Sequence, residues 1–191
     1  MTKNRMEAFS DGVFAIIITI MVLELHAPHE PTWTALRPLW PVFASYVLSF
    51  ANVGVFWNNH HHLIHAVRHI NGGVLWANLH LLFWLSLFPF TTAWMGENHF
   101  APAPVAFYGI VSLMAGVAYW ILVRRLIAAD GEDSMLARAI GSDLKGNLSI
   151  AFFAAGVGFA FVLNWISLGF YVLVALMWLV PDRRIEKRIT S

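Results

Sequence analysis

Five stretches of the chain carry no Asp, Glu, Lys or Arg: 12–23, 38–67, 69–96, 98–123 and 146–181. None shows the strict apolar/polar alternation of a strand, and lipid admits only helices or closed barrels, so each stretch predicts a membrane helix. The last has 36 residues, from 146 to 181. As one helix it would be about 54 Å long, against about 30 Å for the hydrocarbon core of a bilayer. It divides most simply into a hairpin of two short helices turning near Asn164 to Gly169. Six spans result, at 6–25, 38–60, 72–96, 103–124, 146–163 and 166–181. The predicted fold class is an all-α membrane protein with six transmembrane helices in one domain over 1–191.

Prolines punctuate this pattern. Pro38 and Pro41 open the second span and Pro102 and Pro104 the fourth, positions that a helix start tolerates. Pro89 falls inside the third span and predicts a kink there. The polar run AADGEDSMLARAIGSDLK between the fourth and fifth spans predicts a small helix outside the membrane.

Composition agrees with the spans. The chain is 59% hydrophobic and only 12% charged, with a mean hydropathy of +0.65, where soluble proteins carry about 25% charged residues. With no cysteine, disulfides, thiolate metal sites and cysteine nucleophiles are excluded. Phosphate-cradling glycine loops, serine elbows and HExxH pairs are absent too, so the sequence points away from an enzyme. A cleaved signal peptide fits the first segment poorly: Asp11 interrupts its apolar run and LHAPHEP offers no small-x-small site. It reads as a retained first helix.

The net charge of +1 conceals an asymmetry. With six spans, Lys3, Arg5, Arg68, Arg124, Arg125, Arg138, Lys145, Arg183, Arg184, Lys187 and Arg188 fall on one side and Arg37 alone on the other. The positive-inside rule then places both termini in the cytoplasm; the expected location is the plasma membrane.

Three constellations could carry function. In the first helix, Ile16, Ile20 and Leu23 share a stripe with Thr19 beside it, below a polar entrance of Arg5, Ser10 and Asp11. Ordinary packing or lipid contact also produces such stripes. Yet Asp11 and Glu24 lie only about 20 Å apart along this helix, and a charge facing lipid costs at least about 2.5 kcal/mol, so at least one of them needs shelter. The second constellation is FWNNHHHLIHAVRH, with histidines between His60 and His69. His61 and His65 stand at i, i+4, and His62, His65 and His69 also share a face, so zinc or copper could be held; hydrogen bonding and some pH sensitivity are the alternative, and no metal is expected. The third is His80, inside an apolar span with Asn78 close by. It needs a partner, which could be Ser10, Asp11 or a backbone carbonyl.

The residues at these places resemble a known family. Arg5, Phe9, Ser10 and Asp11 reproduce the Arg-x-x-x-Phe-Ser-Asp signature of the transmembrane protein 175 family of endolysosomal potassium channels. The likeness continues through SDGVFAIIITIMVLEL, FWNNHH and WANLHLLFWLSLFPFTTAW, over most of the first hundred residues, while the second half matches mainly in span count. It implies a potassium-permeable cation channel whose first helix lines a central pore. Animal members carry two repeats of the motif and work as dimers, prokaryotic members carry one and work as tetramers; the single copy here implies a homotetramer. Ile16, Thr19, Ile20 and Leu23 would be pore-lining, with Ile16 the constriction and Glu24 at the outer mouth. Ala15 stands where some animal members have a serine credited with aiding selectivity, so a modest preference for potassium over sodium is implied. Arg5, Phe9, Ser10 and Asp11 would form a structural network holding the pore helices, with His80 or the histidines after Trp57 as its partners. The expected partners are further copies of the chain, membrane lipid and monovalent cations, with no cofactor and no nucleic acid. A secondary transporter and a histidine-dependent membrane metal-binding protein are the alternatives; paired broken helices in two halves would mark the former.

Overall fold

The structure, a computed structural model, describes residues 2–131, 134–140 and 143–179. Among them the elements are α1 (Lys3–Leu23), a short 3-10 segment (Trp33–Leu39), α2 (Trp40–His65), α3 (Gly72–Ser86), α4 (Phe88–Glu97), α5 (Pro102–Asp130), α6 (Met135–Ile140), α7 (Leu144–Phe159) and α8 (Asn164–Leu179). Four segments among the described residues are long and apolar enough to cross a membrane: α1, the 3-10 segment with α2, α3 with α4, and α5. The apolar helices α7 and α8 have 16 residues each. The basic cluster Arg183, Arg184, Lys187 and Arg188, and the end of the sixth predicted span at 181, lie outside the described residues.

Local chemistry explains the breaks. Pro89 cannot donate to the carbonyl of Leu85 and its ring crowds that oxygen, so α3 ends at Ser86 and α4 restarts at Phe88 with Pro89 in its first turn. Asn71 caps α3 by accepting from the Val74 amide at 3.0 Å, and Asp143 caps α7 by accepting from Gly146 at 2.9 Å. Between α4 and α5 the chain reverses through His99 and Phe100, at φ of 51° and 58°, a left-handed conformation that side chains rarely adopt. Packing holds it there. Phe100 is buried with its ring 5.4 Å from that of Trp40 and 5.7 Å from that of Trp165, and its carbonyl accepts from Asn164 Nδ2 at 2.6 Å.

That last bond corrects the predicted hairpin. The turn between α7 and α8 lies at 160–163, and Asn164 begins α8 rather than the turn. Its amide is committed to the Phe100 turn, so the reversal falls on the apolar residues before it. The other predicted bounds move too: α1 begins at Lys3, α2 continues to His65 and α5 to Asp130.

The core is built by close helix contacts. The helix α5 packs against α3, α4, α7 and α8, while α1 lies against α2, α3 and α4. Tyr171 of α8 fills the space between α5 and α7, donating to the Val105 carbonyl at 3.2 Å. A Cβ at Gly109 or at Gly156 would run into its ring. Gly109→Ala should therefore force a shift of packed groups and cost about 1–3 kcal/mol. In the same helix, a methyl at Gly116 meets nothing nearer than Ile150 at 3.7 Å, so Gly116→Ala should be neutral or stabilising. Thermal unfolding of the purified variants checks the pair; equal melting temperatures would contradict this packing.

Candidate functional site

The N-terminal half of α1 is held by polar groups from α2 and α3. Ser10, fully buried, donates to the Met6 carbonyl at 2.8 Å and accepts from Asn78 Nδ2 of α3 at 3.0 Å. Asn78 Oδ1 lies 2.8 Å from Nε2 of the buried His60 on α2. Because this oxygen only accepts, His60 carries its proton on Nε2. Its Nδ1 is buried with no hydrogen-bond partner among the described residues. The ring also packs on Phe14 of α1 at 5.7 Å. One turn away, Trp57 Nε1 donates to Asp11 Oδ1 at 3.0 Å, so Asp11 faces an indole rather than lipid.

A second set of contacts fixes the start of the helix. Glu7 Oε1 lies 3.1 Å from His65 Nε2 and 3.5 Å from His61 Nδ1. Lys3 Nζ donates to the carbonyls of His65 and Val67, at 3.2 and 2.9 Å. The beginning of α1 is thereby sewn to the end of α2.

These contacts turn one face of α1 inward and leave the other open. Met6, Ser10, Phe14, Ile17 and Met21 are buried. Ile16, Ile20 and Leu23 are 57%, 40% and 75% exposed, Phe9 is 50% exposed, and Ile17 only 3%. Ala15, Thr19 and Val22 belong to the same open side. Thr19 spends its hydroxyl proton on the Ile16 carbonyl at 2.9 Å. Glu24 is exposed at the end of the helix and lines a groove with His26 and Glu97.

Of the predicted network, Asp11 is bonded to Trp57 rather than to a histidine after it, and Ser10 is linked to His60 only through Asn78. Arg5 is exposed on the open side with Phe9, and among the described residues neither contributes a hydrogen bond to the seat. The expectation for His80 is corrected: its Nε2 accepts from Trp84 Nε1 at 3.0 Å, one turn along α3, and not from Ser10 or Asp11. Residues two apart on a helix are turned about 200° from each other, so Asn78 and His80 cannot both face α1. Asn78 does. Reading the sequence also missed Glu7, although it shares the inward face of α1 with Ser10, one turn on.

The chain as a whole is similar to known proteins. A family model described as endosomal/lysosomal potassium channel TMEM175 matches residues 5–89. A potassium channel of Chryseobacterium sp. (strain P1-3) is 55% identical over 189 residues, covering 99% of this chain and 98% of its own. One from Streptomyces collinus is 32% identical, covering 92% and 91%. The crystal structure of a lysosomal potassium-selective channel TMEM175 homolog from Chamaesiphon minutus superposes with a TM-score of 0.83 at 27% identity, covering 93% of this chain and 96% of that one.

The seat is testable on its own. Asn78→Leu leaves the buried Ser10 hydroxyl without its donor and His60 without its acceptor, at about 1–3 kcal/mol for each group left unpaired. His80→Leu removes one bond within a single helix. Thermal stability in detergent should therefore fall markedly for the first variant and little for the second; the reverse order would contradict the seat.

Proposed function

Because this chain belongs to the TMEM175 family, we propose that it is the subunit of a potassium-permeable cation channel in which α1 lines the pore. It is a multi-pass membrane protein and not an enzyme. The observation that carries the pore reading is the open face of α1: Ile16, Ile20 and Leu23 stand exposed while Ile17 is buried. Large apolar side chains exposed along a helix whose other face is held by hydrogen bonds need either lipid or copies of themselves.

Four chains around one axis, a closed cyclic arrangement, would turn Ile16, Thr19, Ile20 and Leu23 of each towards a common path. Arg5 and Phe9, outside the intrachain seat, would then meet neighbouring subunits. With the α3–α4 unit taken as one span and α7 and α8 as two, the subunit would cross six times, and the positive-inside rule supports cytoplasmic termini in a plasma-membrane channel. Glu24 lies at the outer mouth and raises the local cation concentration.

An apolar ring offers no oxygen to replace water around an ion. It gates by dewetting and discriminates by the cost of stripping hydration. Potassium gives up water more readily than sodium, so it passes preferentially. Thr19 adds little, since its proton is bound to its own helix, and Ala15 supplies no hydroxyl. The preference is therefore modest.

Two experiments follow. If Ile16 forms the narrowest ring, Ile16→Asn eases wetting, so liposome flux rises and the potassium preference falls, whereas Ile16→Phe blocks flux with assembly intact. Ile17→Asn puts an amide into the buried face and should instead lower protein yield. Unchanged flux and ion preference in both Ile16 variants would reject the assignment. For topology, reporter fusions at Gly131 and Ser191 should read as cytoplasmic and one at His99 as external; opposite signals at Gly131 and Ser191 would reject six spans.

A further inference from the structure

The contacts between Glu7 and the two histidines have the dimensions of a metal site. In a tetrahedral zinc centre with ligand bonds of about 2.0–2.1 Å, neighbouring ligand atoms lie about 3.3 Å apart. Here Glu7 Oε1 stands 3.5 Å from His61 Nδ1 and 3.1 Å from His65 Nε2, and all three atoms lie within 4.8 Å of one another. The histidines are at i, i+4 on α2, with ring centroids 4.4 Å apart, so one helical face presents both nitrogens. The carboxylate comes from α1. Lys3 does not compete for it, because its ammonium is hydrogen-bonded to the carbonyls of His65 and Val67. His65 is exposed and Glu7 and His61 are partly so, which leaves an approach from solvent.

We propose that Glu7, His61 and His65 bind one divalent transition-metal ion of the zinc class, two imidazoles and one carboxylate closing a clasp between the start of α1 and the end of α2. Borderline-soft ions suit this donor set, whereas magnesium and calcium require oxygen ligands throughout. Metal bound here holds the beginning of α1 against α2, whatever ion the protein conducts.

The test starts with protein stripped by a chelator, returned to chelator-free buffer and titrated with Zn2+ by calorimetry, with bound metal counted after desalting. One Zn2+ per chain is expected, with no comparable binding of Mg2+. Glu7→Gln preserves shape but removes the anionic ligand, so affinity should fall at least about tenfold. His61→Ala and His65→Ala should each abolish stoichiometric binding, and His62→Ala should leave it unchanged. Variants are compared only at the native elution volume; if the histidine variants fail that criterion, Glu7→Gln decides. Binding unaffected by Glu7→Gln would overturn the proposal, because a histidine pair within α2 would then suffice, and so would the absence of stoichiometric Zn2+ on the native protein.

Discussion

A polar group inside a membrane must find its partner within the protein, and for α1 this requirement sets the register. Ser10, whose proton goes to its own helix, accepts from Asn78, Asp11 accepts from Trp57, and Glu7 lies beside His61 and His65. A rotation of α1 by one residue, about 100°, would break all three sets of contacts. It would also expose Phe14 and Met21, which are buried here. Polar pairing thus decides which apolar side chains turn outward, although the pairs lie at the opposite end of the helix from Leu23.

The rest of the fold supports that seat. On either side of the break at Leu87, which Pro89 enforces, α3 and α4 both contact α1. Between α4, α2 and α5, a second polar group of Thr92, Ser49, Asn52 and Tyr108 ties the far half of the bundle, with Thr92 Oγ1 2.6 Å from Ser49 Oγ and Asn52 Nδ2 2.8 Å from Tyr108 Oη. On the proposed assembly, α1 is then a helix fixed on one side by hydrogen bonds and presenting on the other Ile16, Ile20 and Leu23, with the Thr19 proton bound to its own helix. Such a surface binds no ion tightly, which is consistent with conduction and with modest selectivity.

Much of this was legible in the sequence because a helix repeats. The i, i+4, i+7 spacing of Ile16, Ile20 and Leu23 marks one face whatever it touches, and charge-free stretches mark apolar helices. What failed concerned partners and turns. His80 attracted notice as the ionisable residue in an apolar span, yet it is satisfied one turn along its own helix, while the neutral Asn78 makes the contacts across helices. Nothing in a single helix reveals which of two residues about 200° apart faces a neighbour. Glu7 was overlooked because an acid near a helix start is ordinary until its opposite wall is known. The turn at 160–163 carries no glycine or proline, whereas Asn164 and Gly169 imitate turn signals inside α8. The resemblance was strongest over the first hundred residues, where the motifs lie; the Chryseobacterium relative extends it across nearly the whole chain.

A pore lined by α1 requires that one face of this helix border the permeation path. Since the chain has no cysteine, single cysteines can be placed at Ile16, Ile20 and Leu23 and, for contrast, at Ile17 and Met21, and treated with a membrane-impermeant thiol reagent during current recording in planar bilayers. Currents should fall on modification at the first three positions and persist at the other two. Block at Ile17 or Met21, with unaltered currents at Ile16, Ile20 and Leu23, would contradict it.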